Sequence, residues 1–133
     1  MRVYDKEVLT IDRHPDGYHV ATWTGFGRGD GYRRPMDACI PFIEKQASGT
    51  WVADLTGWSP TTKADQAWTI EDWFPRAVAA GLRDLVVILP KSALAGMSVK
   101  SVMSQAGDIE VGQHYVGSLE EAHAIASERR KAA

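Results

Sequence analysis

Only one cysteine stands in 133 residues, so Cys39 has no partner within the chain for a disulfide. A chain with no such framework suits a reducing compartment and has to draw its stability from a hydrophobic core. Neither sign of charge is in excess: the formal net charge is -2. No global field therefore draws in nucleic acid or an anionic membrane. Long apolar runs are missing as well. Met1 to Glu7 lacks the apolar segment of a secretion signal, and no stretch reaches the ~20 apolar residues of a membrane span. A cytoplasmic protein without a transmembrane segment is expected. Repeats, linkers and low-complexity stretches are also absent, so residues 1–133 are expected to form a single domain.

Chemical motifs are scarce too. His14, His19, His114 and His123 lack metal-ligand spacing and have no cysteine pair to join them. No metal or other cofactor is expected. Ser59, Thr61 and Thr62 stand in no nucleophile elbow and beside no histidine, so they read as turn and cap residues. With no catalytic constellation in view, the balance leans away from an enzyme.

What is present is ordinary globular material: 44% hydrophobic and 24% charged residues. That is enough for a domain of this length to bury roughly two-thirds of its unfolded surface. Val8 to Asp12 reads as a strand, His14-Pro15-Asp16-Gly17 as a turn and Tyr18 to Phe26 as the return strand. A glycine-rich loop, Gly25 to Gly31, precedes a helix over about 32–46. Tyr32, Met36, Cys39, Ile40 and Ile43 form its apolar stripe. Pro35 suits its first turn, whereas Pro41 predicts a kink or early break.

Trp51 to Leu55 has the nearly all-apolar character of a strand covered on both faces. Trp58 falls in the loop after it. Thr62 caps the next helix, Asp65 occupies the first turn, and Trp68, Ile70, Trp73 and Phe74 follow. Pro75 should kink that helix or begin a second segment, and Gly81 should stop it. Leu85 to Leu89 reads as a central strand. Ser98 is expected to cap a short helix ending at Gly107, and 110–116 reads as a last, more exposed strand. Ser118 and Glu121 make a capping box for the final helix. Arg129-Arg130-Lys131 at its end oppose the helix dipole more simply than they form a nucleic-acid tail.

The order is β-β-α-β-α-β-α-β-α. It implies an α/β domain with a mixed, mainly parallel five-stranded sheet, an N-terminal antiparallel hairpin and about four helices. Sheet edges and amphipathic helices are compatible with a homodimer.

Three stretches carry a likeness. They are Tyr18-His19-Val20-Ala21-Thr22-Trp23-Thr24-Gly25; Trp51 through Pro60 with Asp65-Gln66-Ala67-Trp68; and Trp73-Phe74-Pro75 through Ala80-Gly81-Leu82-Arg83 into Leu85 to Pro90. With the closing Ser118-Leu119-Glu120-Glu121-Ala122 they span nearly the whole chain. The pattern resembles small bacterial STAS-like (SpoIIAA-like) proteins, whose fold is shared with lipid-binding Sec14-type domains. The resemblance implies a regulatory or binding module. In the classical anti-sigma-factor antagonists of that family an Asp-Ser-Ser-Gly-type signature opens the helix after the third strand, and a partner kinase phosphorylates its serine. Here the comparable region reads Ser59-Pro60-Thr61-Thr62-Lys63 and the signature is absent. Ser59, Thr61 and Thr62 are the hydroxyls available to a phospho-regulated antagonist.

Three places have both a functional and a bland reading. Asp54, near the carboxyl end of a central strand, suits cation binding or acid–base chemistry, or else the capping of nearby amides. Trp58, Trp68 and Trp73, with Thr62 and Asp54, suit a small apolar ligand or a protein partner, or else core packing. Gly27, Arg28 and Gly29, beside Arg33, offer an anion-binding loop, although no nucleotide-binding register fits. The leading expectation is a non-catalytic module that binds a protein partner or a small apolar ligand. The alternatives are an enzyme using Asp54 and a phospho-switch antagonist.

Overall fold

The computed structural model describes residues 1–105 and 111–132, with side chains as far as residue 129. Six strands lie across one sheet in sequence order. They are β1 (Arg2–Lys6), β2 (Leu9–Arg13), β3 (His19–Gly25), β4 (Thr50–Trp58), β5 (Asp84–Ile88) and β6 (Gly112–Val116). β1–β2 and β2–β3 pair antiparallel, and β3–β4, β4–β5 and β5–β6 pair parallel. The mixed, mainly parallel α/β sheet with its N-terminal hairpin is as expected, with six strands in place of five. The added strand is β1. Its sequence, Arg-Val-Tyr-Asp-Lys, is charged as edge strands are. Its turn carries no glycine signal, because Glu7 itself takes the left-handed conformation at φ 50°.

Helix α1 (Asp30–Lys45) joins β3 to β4. The β4–β5 crossover holds α2 (Lys63–Trp68), a π-helical turn (Thr69–Trp73) and α3 (Phe74–Ala80). Helix α4 (Ala93–Gln105) joins β5 to β6, and α5 (Leu119–Ala132) follows β6. The three parallel crossovers step the same way across the sheet, so right-handed connections place their helices on one face. On that face Trp23, Trp51, Leu85 and Val87 meet Tyr32, Ile43, Phe74 and Val99 in one core cluster. The opposite face carries α5 alone, where Val20, Val52, Val86, Ile88 and Val116 pack against Ala122 and Ala126. Strand alternation sorts the two sets: Trp51 and Ala53 face the crossover helices and Val52 faces α5.

Several local expectations are corrected. α1 begins before Tyr32 and runs through Pro41 to Lys45, so Pro35 is interior rather than in the first turn. Burial of Tyr32, Pro35, Cys39 and Ile43 on one stripe holds the helix where propensity alone would break it. Ser98 lies inside α4, not at its start. Its hydroxyl donates to Ala95 O, and Ser92 Oγ is what accepts the Ala95 amide. Pro75 does begin a second segment. The π turn precedes it, with Phe74 N donating to Thr69 O five residues back. Gly81 ends α3 at φ 117°. Ser118 Oγ accepts the Glu121 amide, as a capping box requires. Gly107, the residue-110 start of the last strand and the side chains of Arg130 and Lys131 lie outside the described residues. Arg129 sits 3.8 Å from Asp84, an ion-pair contact.

Candidate functional site

The site begins with an irregularity in β4. Thr22 pairs with Asp54 and Thr24 with Gly57, so β4 spends one more residue than β3 over the same span. Such a bulge re-aims the side chains beyond it. Trp51, Ala53 and Leu55 face the crossover helices, and regular alternation would send Trp58 to the other side. The extra residue returns it to the aromatic side. Trp58 is therefore the last residue of a strand and 4% exposed, not a loop residue. Its ring centroid lies 5.3 Å from Trp23 and 6.2 Å from Tyr32. Gly27 permits this approach: a Cβ there would meet Gly31 O at 2.5 Å and the Trp58 ring at 3.4 Å.

Between sheet and helices lies a cavity of about 90 Å³. Trp23, Tyr32, Trp51, Trp58, Trp73 and Phe74 contribute its aromatic wall, with Met36, Cys39 and Met103 adding sulfur. Ala53 and Leu55 also line it and are only half-buried, although they sit in a strand with neighbours on both sides. Trp73, on the π turn, fixes one wall by donating its indole N–H to Met36 O at 2.7 Å. Turns of this type cost helix regularity and recur where a helix is shaped around a site.

A polar network supports the wall. Asp65 is 1% exposed. Its carboxylate accepts from Gly29 N at 2.9 Å, Arg33 Nε at 3.1 Å and Thr62 Oγ1 at 3.0 Å. The glycine loop thus does receive an anion, and that anion is the protein's own Asp65. Behind it, Thr69 Oγ1 donates to Asp65 O and shares a 2.7 Å hydrogen bond with Tyr32 OH. Burial pushes the Tyr32 phenol well above its ordinary range, so it stays a neutral wall residue. The same cause raises the Cys39 thiol and keeps it protonated.

The other candidates separate. Asp54 pairs across the sheet with Ile88, which packs under α5, so it faces away from the cavity. Its Oδ1 accepts from Thr56 N at 3.0 Å and Thr56 Oγ1 at 2.6 Å. Trp68 lies outside the box, with the Arg33 and Arg76 guanidinium groups 5.3 and 5.8 Å from its ring centroid. Thr61 Oγ1 accepts the Trp58 indole N–H at 3.2 Å, while Thr62 caps α2. The Ser59 amide donates to Gly25 O, tying the end of β4 to the glycine loop.

Sequence spacing missed a second cluster, because its members are about a hundred residues apart. The Tyr18 hydroxyl is hydrogen-bonded to His123 Nδ1, and His14 stacks on Tyr18 at 4.5 Å. The His14 and His123 rings are 4.8 Å apart, and Ser127 donates to Asp16 at 2.6 Å. Burial first, then the neighbouring His14, lowers the pKa of His123. The cluster borders an open groove of about 380 Å³ beside α5. The remaining histidines are apart from it: His19 bonds Gln46 and His114 meets Asp84 at 3.1 Å. Among the described residues no three His, Cys, Asp or Glu side chains converge as metal ligands do. No helix among them is long and apolar enough to cross a membrane.

A sheet of this order, with three crossover helical units on one face and a single helix on the other, is a STAS-like α/β fold. Among solved structures it matches that of the anti-sigma factor antagonist SpoIIAA in its unphosphorylated form. The TM-score is 0.60 over 88% of this chain and 94% of that one, at 14% sequence identity. At that identity the likeness is one of fold. No family model matches the chain, and no curated protein matches it.

Proposed function

We propose that this chain is a non-catalytic binding module that takes a small apolar molecule into the aromatic cavity. The observation that carries the proposal is the cavity's lining. Six aromatic side chains and three sulfur-bearing ones wall a concave space beside the sheet, the kind of surface that takes an apolar ligand. Ala53 and Leu55, half-buried in the sheet floor of the cavity, leave surface for a ligand to cover. The fold likeness to an anti-sigma factor antagonist supports a binding or regulatory role rather than a reaction. Asp54, the carboxylate an acid–base mechanism would use, has its Oδ1 engaged by Thr56, which favours the same reading.

Binding should be visible in the protein's own fluorescence, since four of its five tryptophans line the cavity. Titration with small apolar probes is expected to change emission saturably and to raise the melting temperature. Replacing Trp58 with alanine should weaken binding by removing one wall of the cavity, and the three remaining tryptophans should report the loss. Unchanged emission and melting temperature up to the solubility limit of every probe would refute the proposal.

A further inference from the structure

We propose that the occupant is an uncharged aromatic molecule of about one ring, which deepens the ligand-binding reading above and rests on it. Size sets the first limit. An apolar cavity of about 150 Å³ accepts a benzene ring. The space here, about 90 Å³, is smaller than that but partly open, so a single ring is the most it takes and a lipid tail is far too large.

The hydrogen-bonding capacity around the wall sets the second. Trp58 Nε1 is spent on Thr61, Trp73 Nε1 on Met36 O, and the Tyr32 and Thr69 hydroxyls on each other and on Asp65 O. What is left on the wall is the Thr61 hydroxyl hydrogen, one neutral donor, which is too little to hold a carboxylate or a hydroxylated headgroup. The one guanidinium of the supporting network, on Arg33, is committed to Asp65 and stacked over Trp68. A carboxylate brought into this box would be buried with at most that one neutral donor, which is strongly unfavourable. The wall itself sets the third. Indole and phenyl faces and the sulfurs of Met36, Cys39 and Met103 gain more from a ring, through edge-to-face and sulfur–aromatic contacts, than from an alkane of equal area.

The test is a matched series of toluene, methylcyclohexane, benzoate and decanoate on the full chain, read by tryptophan fluorescence and thermal shift. Ala53→Val and the bulkier Ala53→Leu serve as fill-in variants, so that a misfolded Leu variant still leaves one to measure. Toluene is expected to bind at least fivefold tighter than methylcyclohexane, benzoate and decanoate not to bind, and filling at position 53 to remove toluene binding from a folded protein. Equal or tighter binding of methylcyclohexane, abolished by Ala53→Val, would overturn the aromatic assignment and leave the site standing. Benzoate binding as well as toluene would overturn the uncharged assignment alone. Toluene binding unaffected in a folded fill-in variant, or no binding by any member, would overturn both the assignment and the site.

Discussion

The two faces of the sheet solve the same packing problem differently. Under α5 the core is made mostly of small, regular pieces, Val20, Val52, Val86, Ile88 and Val116 against Ala122 and Ala126, with both alanines fully buried and Tyr18 the one large ring in the cluster. Small residues let that helix approach closely. The other face uses the largest side chains in the chain and still leaves a cavity. Large rings cannot interdigitate at every angle, and here Trp58, Trp73 and Tyr32 are fixed by specific hydrogen bonds as well as by ring–ring contacts. The comparison teaches that apolar content does not by itself locate a site. The solid face has it too. What distinguishes the aromatic face is rigid walls around unfilled volume.

The largest expected effect on this contrast is Trp58→Ala. Removing a 4% exposed indole should cost about 4 kcal/mol and open the cavity to the Gly27 loop, as measured by urea denaturation. Asp65→Ala should cost about 3 kcal/mol, since it leaves the Gly29 amide and the Thr62 hydroxyl without their acceptor. Arg33, 39% exposed, can turn to water and limits the loss. A cost below 1 kcal/mol would mean that the aromatic wall does not depend on this tether.

Adding atoms should separate the faces most clearly. Ala126→Leu overpacks the solid face and should cost about 2 kcal/mol. Ala53→Val adds methyl groups where there is space and should change stability by less than ~0.5 kcal/mol in either direction. Similar losses at both positions would erase the contrast.

The smallest effect is on acidification. His123, beside α5, and His19, on the aromatic face, both have pKa values lowered from about 6.5, burial being the main cause in each. The folded state therefore binds their protons less readily than the unfolded state. The stability they support is complete above about pH 6.5 and is lost as the pH falls below it. The melting temperature should drop between pH 7 and pH 5, with a shallower slope in His123→Gln and in His19→Gln. An unchanged slope in both variants would show that other groups govern the acid side.

Much of the fold is legible in the sequence because its signals are local. Leu85 to Leu89, the Asp16-Gly17 turn, Gly81 and the Ser118–Glu121 cap each announce themselves within a few residues. The site is less legible because it depends on register and distance. Trp58 reads as loop unless the extra residue between Asp54 and Gly57 is known, and nothing near it marks a bulge beyond Gly57 itself. Asp65 reads as a first-turn charge, whereas two of its partners, the Gly29 amide and Arg33, lie 36 and 32 residues upstream. β1 escapes notice because a charged edge strand and a turn at Glu7 carry neither apolar alternation nor a glycine. The contact between His14 and His123 has no sequence signature at all.

The cavity also has a mechanical consequence. Unfolding eliminates internal void, so a chain that encloses more of it shrinks more on denaturation and is the more easily unfolded by hydrostatic pressure. The aromatic face is therefore the compressible half of this molecule. An occupant would stiffen it, and ligand binding would register as resistance to pressure as well as to heat.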